Sequence, residues 1–386
     1  MRDVLDQLEA RWRSGDEVAL ATVVATFRSA PRPPGACMLV DSSGEVLGSV
    51  SGGCVEAAVY DLATTVASTG TPELVRYGVS DDDAFQVGLT CGGVLDVWVE
   101  RVSRTSFPEL GSVIEDIRHD RPVAVATLIE HDDPSRVGRR FVVRPDTSGQ
   151  DVGRGSLGSA ELDSLVHDRA LEMLESGTSG LVGDGLIGDS STRSVAVFVS
   201  TFPTKPRMIV FGAIDFAAAL VTLADFLGFR VTVCDARPVF ATQSRFPDAD
   251  EVIVQWPHLY LAIERDACRI DSRTVLAVLT HDPKFDVPLL EVALRLDHVA
   301  YVGAMGSRQT HEDRAARLVA AGVTDVELQR LASPIGLDLG ARSPAETAIS
   351  IAAEIIARRH GASGQRLCAM SGPIHTVERA AITRGA

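Results

Sequence analysis

The sequence predicts an α/β protein with two parts: an N-terminal α+β domain with an internal repeat, and a C-terminal Rossmann-like domain with a doubly wound parallel sheet. Three observations support this prediction. The chain has 386 residues, more than a single hydrophobic core usually serves. Five segments recur in the same order within residues 1–205. After Pro206, apolar strands alternate with helical runs, which is the pattern of a parallel sheet.

The repeat in the first half is visible as five matched segments. The offsets between their first residues are 105, 103, 107, 107 and 100 residues. Offsets this similar indicate two copies of one unit, each a strand, a hairpin, a Gly-rich turn, a helix and a closing strand. Chance resemblance between short apolar strands is the competing explanation, and an ordered series of five matches disfavours it. The pairs are VALATVV (18–24) with VAVATLI (123–129), GACMLV (35–40) with GRRFVV (138–143), GSVSGGCVE (48–56) with GSLGSAELD (155–163), STGTPELVRYG (68–78) with ESGTSGLVGDG (175–185), and VLDVWVE (94–100) with SVAVFVS (194–200).

The second copy lacks two Gly-Cys elements that the first copy has. Ala160 and Glu161 stand where copy one has Gly53 and Cys54, and SSTRS (190–194) stands where copy one has TCGGV (90–94). Residues that served only the fold would be needed in both copies, so the difference favours a chemical role for the elements of copy one. The candidate residues are Gly52, Gly53, Cys54, Cys91, Gly92 and Gly93.

The position of Cys54 indicates what that role would be. Residues 55–68 have helical spacing, which places Cys54 at or beside a helix N-terminus, where free amides point outward and the dipole is positive. Gly52 and Gly53 would let the backbone approach a bound group, and helix N-termini suit phosphate. The expected ligand carries a phosphate and a soft metal or sulfur centre. The alternative is a tight turn with an inert thiol, because free cysteines are usually buried.

The C-terminal half supplies the strands and helices of the predicted parallel sheet. ARSPAETAISIAAEII (341–356) opens its last helix with Ser343 as N-cap, Pro344 at the first position and Glu346 as the capping-box acid. Helices are also expected over residues 214–228 and 287–296. The predicted strands are RMIVFGA (207–213), FRVTVCDAR (229–237), TVLAVLTHD (274–282) and HVAYVGAMGS (298–307).

The dinucleotide fingerprint of a Rossmann domain is broken in this sequence. Asp235 lies 23 residues after Gly212, close to the spacing of a ribose-binding acid. However, Ile214 replaces the glycine that lets the backbone approach a pyrophosphate, and Asp215 adds negative charge where a phosphate would lie. The sequence therefore predicts the fold without NAD(P) as its ligand.

Polar residues follow three of the predicted parallel strands. Because doubly wound sheets bind ligands at the carboxyl ends of their strands, these residues together favour a ligand crevice. Taken one at a time, each is equally well explained as an ordinary loop residue. They are Asp235, Arg237, His281, Asp282, Ser307 and Arg308.

Composition excludes several classes of function. The formal net charge of -15 argues against a nucleic-acid or anionic-membrane partner. No apolar run approaches the ~20 residues of a membrane span, and the first residues form a charged helical pattern instead of a signal peptide, so a cytoplasmic location is expected. The six cysteines contain no CxxC pair, so neither a protein-held metal site nor a disulfide framework is expected.

Together the motifs resemble the XdhC/CoxI family of maturation factors for molybdenum hydroxylases such as xanthine and carbon monoxide dehydrogenases. The resemblance covers roughly residues 15–100 and 207–357. The sequence departs from the family pattern at GAIDF (212–216), where the family commonly has GAGHV, and at Arg28, where it often has glycine. The motifs that carry the resemblance are ATVVATFRSAPRPPGACMLV (21–40), GSVSGGCVE, GLTCGG (88–93), DARPVFATQSRFPDAD (235–250), LTHDPKFD (279–286), YVGAMGSR (301–308) and PIGLDLGARSPAETAISIAAEI (334–355).

The resemblance implies a chaperone that binds the molybdenum cofactor (molybdopterin). It would protect this cargo while a cysteine desulfurase helps to supply the sulfido ligand, and deliver it to an apo molybdenum hydroxylase. By resemblance, Cys54 contacts the cofactor or its molybdenum, or relays sulfur, and Cys91 is the second such residue. Such a protein is an accessory factor more than a turnover enzyme. A homodimer is a further expectation, since pseudo-symmetric units often leave an apolar face to pair.

Two other functions compete with this one. The first is an NAD(P)-binding oxidoreductase that uses the C-terminal domain. The second is a sulfur carrier that holds a persulfide on Cys54 and binds no molybdopterin. In all three cases the expected domains are an XdhC/CoxI-like domain over 1–205, with repeated units at about 15–100 and 120–202, a Rossmann-like domain over 206–358, and a C-terminal tail over 359–386.

Overall fold

The computed structural model describes residues 1–27, 32–78, 93–145, 153–182 and 195–371. Arg28, Cys91 and Gly92 lie outside the described residues. The chain divides into two compact units, the first with Met1–Thr204 and the second with Lys205–Met370.

The first unit is an α+β fold. Two of its segments, Arg2–Val4 and Pro134–Arg136, are single 3-10 turns. The elements of the first half are α1 (Leu5–Ser14), β1 (Val18–Phe27), β2 (Cys37–Val40), β3 (Val46–Gly48), α2 (Glu56–Thr69), β4 (Glu73–Gly78) and β5 (Val94–Val102). Those of the second half are α3 (Leu110–Arg118), β6 (Val123–Glu130), β7 (Arg140–Val143), β8 (Arg154–Gly155), α4 (Ala160–Ser176), β9 (Gly180–Val182) and β10 (Ala196–Phe202).

The internal repeat predicted from the sequence is confirmed by the sheets of this unit. One antiparallel sheet has the order β3-β2-β1-β5-β4 and the other the order β8-β7-β6-β10-β9, so equivalent strands occupy equivalent places. The register of the central strand pair shifts at Val24 in the first sheet and at Ile129 in the second, which are matched positions. Helices α2 and α4 also end at matched glycines in the left-handed conformation, Gly70 and Gly177.

The two sheets are packed face to face. Helix α2 covers one face of the first sheet, where Ala19, Ala21 and Val23 are buried, and α4 covers the matching face of the second sheet. Alternate side chains point to the other face. There, Trp98 of β5 packs with Phe198 of β10, and α1 and α3 close the same apolar layer. The result is four layers: helix, sheet, sheet, helix.

A buried ion pair links the two copies inside this layer. Arg140 of β7 pairs with Glu100 of β5, and both side chains are largely buried. Arg140 also donates a hydrogen bond to the carbonyl oxygen of Ser106 at 2.7 Å, and its guanidinium lies 4.4 Å from the centroid of the Phe107 ring. The contact therefore joins the closing strand of one copy to the hairpin of the other.

The second unit is the predicted doubly wound parallel sheet. Its elements are β11 (Arg207–Phe211), α5 (Asp215–Phe226), β12 (Arg230–Asp235), β13 (Glu251–Val254), α6 (Pro257–Asp266), β14 (Val275–Val278), α7 (Pro283–Leu294), β15 (Tyr301–Ala304), α8 (Arg308–Ala320), α9 (Asp325–Leu328), β16 (Leu331–Ala332) and α10 (Pro344–Arg359). The strand order is β13-β12-β11-β14-β15-β16, with all described pairs parallel, which is the order of a Rossmann fold. Two buried apolar clusters cover the two faces of the sheet.

The last helix begins as the sequence predicts. Ser343 is the N-cap of α10, Pro344 is its first residue, and the side chains of Ser343 and Glu346 complete a capping box. Among the described helices, none is long and apolar enough to span a membrane.

The Glu100–Arg140 pair gives a stability prediction. Glu100→Gln leaves the buried guanidinium without its counter-charge, so we expect the free energy of unfolding to fall by about 3 kcal/mol in urea denaturation. Glu172→Gln, which breaks an exposed pair with Arg169, should cost no more than about 0.5 kcal/mol. Equal losses in the two variants would contradict a special role for the buried pair.

Candidate functional site

The turn between β3 and α2 contains the Gly-Gly-Cys element. Helix α2 begins at Glu56 with Val55 as its N-cap, so Cys54 lies beside the N-cap, as the spacing predicts. Cys54 is half-buried. In copy two, α4 begins at Ala160, which is the counterpart of Gly53. The two helices end at matched residues, and α4 has 17 residues where α2 has 14, so Gly53, Cys54 and Val55 stand in place of the first helical turn of copy two.

The glycines of this turn are of two kinds. Gly48, with φ +77°, has a counterpart in Gly155, with φ +86°, and a Cβ at either would collide with a carbonyl oxygen of the neighbouring strand. Gly52 and Gly53 have φ +81° and +121°, which also favour glycine, but a Cβ at either would meet no heavy atom of the described residues within 4 Å. Gly48 and Gly155 are thus required by the backbone fold in both copies. Gly52 and Gly53 occur in copy one and border open space. Gly93 is buried directly before β5.

The carboxylate of Glu56 fills the concave side of the turn. One oxygen accepts hydrogen bonds from the hydroxyl of Ser49 at 2.6 Å and from the amides of Ser51 and Gly52 at 2.8 and 3.0 Å. The other accepts from the hydroxyl of Ser51 at 2.5 Å and from the amide of Gly53 at 2.8 Å. The amides of the turn from Ser51 to Gly53 are therefore not free, because the chain supplies its own anion to them.

The remaining amides of the turn are also satisfied. The Ser51 hydroxyl oxygen accepts from the backbone amides of Cys54 at 3.0 Å and Val55 at 3.1 Å. A phosphate could bind the amides of Ser51, Gly52 and Gly53 only by displacing Glu56. What the turn leaves accessible is the open side of Gly52 and Gly53, next to Cys54.

The protonation of Glu56 follows from these contacts. Partial burial opposes ionisation, but the hydrogen bonds from Ser49 and Ser51 prevail and lower the pKa of Glu56 to about 2. In copy two the matched Asp163 accepts from the Ser156 hydroxyl and from the Leu157 amide, both at 2.7 Å. The serine–acid contact therefore belongs to the fold of both copies, and only the Gly-Gly-Cys segment distinguishes copy one.

Asp235, at the carboxyl edge of the Rossmann-like sheet, forms hydrogen bonds with other groups of the protein. Its side chain is buried and accepts from the Ala213 amide at 2.8 Å. Arg237 donates to both carboxylate oxygens at 2.9 and 2.8 Å. Burial opposes ionisation, and the hydrogen bonds from Arg237 and Ala213 outweigh it, so the pKa of Asp235 is lowered. The acid that a dinucleotide ribose would need is held by the protein's own groups.

The turn that would bind a pyrophosphate is also occupied. Arg245 donates to the carbonyl oxygen of Ala213 at 3.1 Å and to the carboxylate of Asp215 at 3.1 Å. Its guanidinium therefore lies over the start of α5 and balances the charge of Asp215 there.

The other polar residues predicted at this edge are only partly brought together. Asp282 caps α7, and the hydrogen bond from Lys284, with a smaller contribution from the charge of Arg237, lowers the pKa of Asp282. His281 is exposed beside it. Ser307 caps α8 and Arg308 is its exposed first residue. In the described part of the chain, neither makes a hydrogen bond or ion pair with the other four predicted residues.

The sequence did not predict a buried polar network that lies near these strand ends. Asp286 accepts from the hydroxyl of Thr280 and from Arg314 at 2.9 Å, and burial raises its pKa. Arg314 also donates to the carbonyl oxygen of Met305 at 2.7 Å and to the Ser333 hydroxyl at 3.0 Å. Both charged residues sit on helices among other polar residues, so the sequence carries no signal that they meet. The network ties the ends of β14, β15 and β16 together.

Known protein families match both units of the chain. The profile of the XdhC and CoxI family matches residues 11–78 and 117–183, one segment in each repeat. The profile of the XdhC Rossmann domain matches residues 208–355.

Curated proteins and a solved structure match nearly the whole chain. A Bacillus subtilis (strain 168) protein, named as a probable subunit of xanthine dehydrogenase, is 29% identical over 91% of this chain and 96% of its own length. The Escherichia coli (strain K12) "Molybdenum cofactor insertion chaperone PaoD" is 27% identical over 90% of this chain and 85% of its own. A crystal structure from Bacillus halodurans, described as a xanthine dehydrogenase, has a TM-score of 0.65, 25% identity, and coverage of 95% of this chain and 97% of that one.

The low pKa of Glu56 gives a pH prediction. A carboxyl whose pKa falls on folding, here from 4.5 to about 2, stabilises the fold above the higher value and loses that contribution as the pH falls through the lower one. The melting temperature of the protein should therefore fall between pH 4.5 and about 2 partly because of this group.

The matched control is Glu56→Gln, which keeps the shape and removes the charge. Calorimetry at a series of pH values should show that this variant is less stable at neutral pH and loses less stability on acidification than wild type. Identical pH dependence in the two proteins would contradict the hydrogen-bonded carboxylate described here.

Proposed function

Since the chain belongs to the XdhC and CoxI family, we propose that it is a chaperone that binds the molybdenum cofactor and assists its insertion into a molybdenum hydroxylase. The observation that carries this proposal is the similarity to the insertion chaperone PaoD, which extends over both units. The similarity to the probable subunit of xanthine dehydrogenase points to a client of the xanthine dehydrogenase or carbon monoxide dehydrogenase type.

The Gly-Gly-Cys turn is the proposed contact with the cargo. Cys54 is half-buried, and the space beside Gly52 and Gly53 is open, so a bulky ligand can approach the backbone there. A thiolate is a suitable ligand for a soft metal. The bound carboxylate of Glu56 argues that this turn receives the metal or sulfur end of the cargo and not its phosphate, because the amides are already satisfied.

The finer steps of maturation are part of the same proposal. Cys54, with Cys91 as a second thiol, would hold the cofactor or relay sulfur while a cysteine desulfurase supplies the sulfido ligand. The protein would then act as an accessory factor and release its cargo to the apo-hydroxylase. This proposal is supported by the fact that both cysteines belong to copy one. The matched positions of copy two carry no thiol.

The content of molybdenum and pterin in the purified protein tests the proposal. In a molybdenum-replete host, wild type should carry the cofactor, and Cys54→Ala should lose most of it because the soft ligand is removed. Glu161→Ala changes the matched position of copy two and should keep the wild-type content.

Two outcomes would overturn this proposal. One is a folded wild type that binds no cofactor even when free cofactor is supplied. The other is a +32 Da adduct on Cys54 after incubation with a desulfurase (about the mass of one sulfur atom), formed by a protein that never binds the cofactor. That second result would establish the sulfur carrier instead.

The NAD(P)-dependent alternative has its own test. Because Asp235 is held by Arg237 and Ala213, and Arg245 covers the start of α5, we expect NAD(H) to leave the melting temperature unchanged. The measurement is a thermal-shift titration with NAD(H) and NADP(H). A saturable rise that disappears in Asp235→Ala would establish a dinucleotide site and favour the oxidoreductase.

A further inference from the structure

A small cavity lies inside the layer where the two sheets of the first unit pack on each other. Its volume is about 40 Å³. Strands β1, β2, β5, β6, β7 and β10 all contribute side chains to its walls. Its lining residues are buried except for Ser200, which is half-buried. We call it the central cavity.

The lining of the central cavity follows the internal repeat. Ten of the lining residues form five pairs of matched positions, with one member of each pair in each copy. The central cavity therefore lies where equivalent positions of the two copies meet. The pairs are Leu20 with Val125, Thr22 with Thr127, Cys37 with Arg140, Trp98 with Phe198, and Glu100 with Ser200.

The Glu100–Arg140 ion pair explains why there is space at this place. Glu100 of copy one reaches across the layer to Arg140 of copy two. The matched residues are Ser200 in copy two and Cys37 in copy one, and both have much shorter side chains. Two long charged side chains thus fill one side of the centre, and a serine and a cysteine cannot fill the equivalent side. The repeat supports a cavity that is polar by origin and not an apolar packing defect.

The central cavity is lined by polar groups that need hydrogen-bond partners. The indole nitrogen of Trp98 is buried and finds no acceptor among the described residues. Only 3% of this residue is exposed, so bulk solvent does not serve the N–H either. Within the same part of the chain, the hydroxyls of Thr127 and Ser200 form no hydrogen bond, and that of Thr22 contacts the Cys37 sulfur at 3.4 Å. Buried polar groups left in this condition destabilise a fold.

We propose that the central cavity binds one ordered water molecule, which accepts a hydrogen bond from the Trp98 indole and bonds to the hydroxyls of Thr127 and Ser200. The volume suits this ligand, because one water occupies about 30 Å³ in the liquid. The three groups also fall within the about two to four polar partners that a buried water uses. An apolar guest of the same size would leave the indole N–H without an acceptor.

The water joins the two copies in the same way as the neighbouring ion pair does. It connects β5 of copy one, through Trp98, to β6 and β10 of copy two, through Thr127 and Ser200. The polar centre of the layer is then satisfied on both sides, by a charge pair on one and by water on the other. The site is independent of the proposed function, because it uses none of the residues assigned to the cargo.

Hydration measurements by NMR on the isotope-labelled full chain test this site. The chain has three tryptophans, and Trp98→Phe identifies the indole signal of Trp98 by its loss. In wild type, the Trp98 indole proton should show a rotating-frame cross-peak to water whose sign marks dipolar contact and not proton exchange. A buried water gives such a cross-peak because it stays beside the proton.

Two variants alter the central cavity and keep Trp98. Ser200→Val replaces a hydroxyl with a larger apolar group that fills the space, so the water cross-peak should be lost while the indole signal remains. Thr127→Val changes the shape little and removes one hydroxyl, so it should weaken the cross-peak even if Ser200→Val folds poorly. The matched control is Ser164→Val at an exposed position of α4, which should keep the wild-type intensity.

Three results would overturn the proposal. The first is a wild-type Trp98 indole without dipolar contact to water. The second is a cross-peak that keeps its full intensity in both Ser200→Val and Thr127→Val. The third is a loss in Ser164→Val equal to that in Ser200→Val. None of these results bears on the molybdenum content of Cys54→Ala.

Discussion

The face-to-face packing of two equivalent sheets is the constraint on which the first unit depends. Each sheet is apolar on both faces, and its own helix, α2 or α4, covers one of them. The other face of each sheet is buried from solvent because the two faces pack on each other, around Trp98 and Phe198. This packing brings the hairpin of one copy against the closing strand of the other, where Arg140 meets Glu100.

The internal repeat also distinguishes residues that both copies share from residues of copy one alone. Both copies have a serine–acid contact before the helix: Ser49 with Glu56 and Ser156 with Asp163. In each copy the acid also accepts hydrogen bonds from backbone amides of the turn. Only copy one then replaces a helical turn, with Gly53, Cys54 and Val55 in its place. A carboxylate with a very low pKa secures the unusual backbone, so the thiol is presented without leaving unsatisfied polar groups behind it.

In the second unit the Rossmann topology is present, and the groups at the positions of a dinucleotide site bind one another. Asp235 accepts hydrogen bonds from Arg237 and the Ala213 amide, and Arg245 binds the Ala213 carbonyl oxygen at the start of α5. A sheet of this topology is stabilised by its buried faces, so the fold does not depend on the groups at its strand ends. The buried Asp286–Arg314 pair shows the same edge used to fasten strand ends.

The sequence by itself determined the architecture. Apolar strands that alternate with helical runs predicted the parallel sheet, matched offsets predicted the repeat, and Ser343 with Glu346 predicted a capped helix, because these features depend on neighbouring residues. The sequence also placed Cys54 beside a helix N-terminus. Only the tertiary structure decided that the amides of the turn before this helix are taken by Glu56 and that Asp235 is buried. Such contacts join residues brought together by folding, and no local pattern encodes which oxygen will reach which amide.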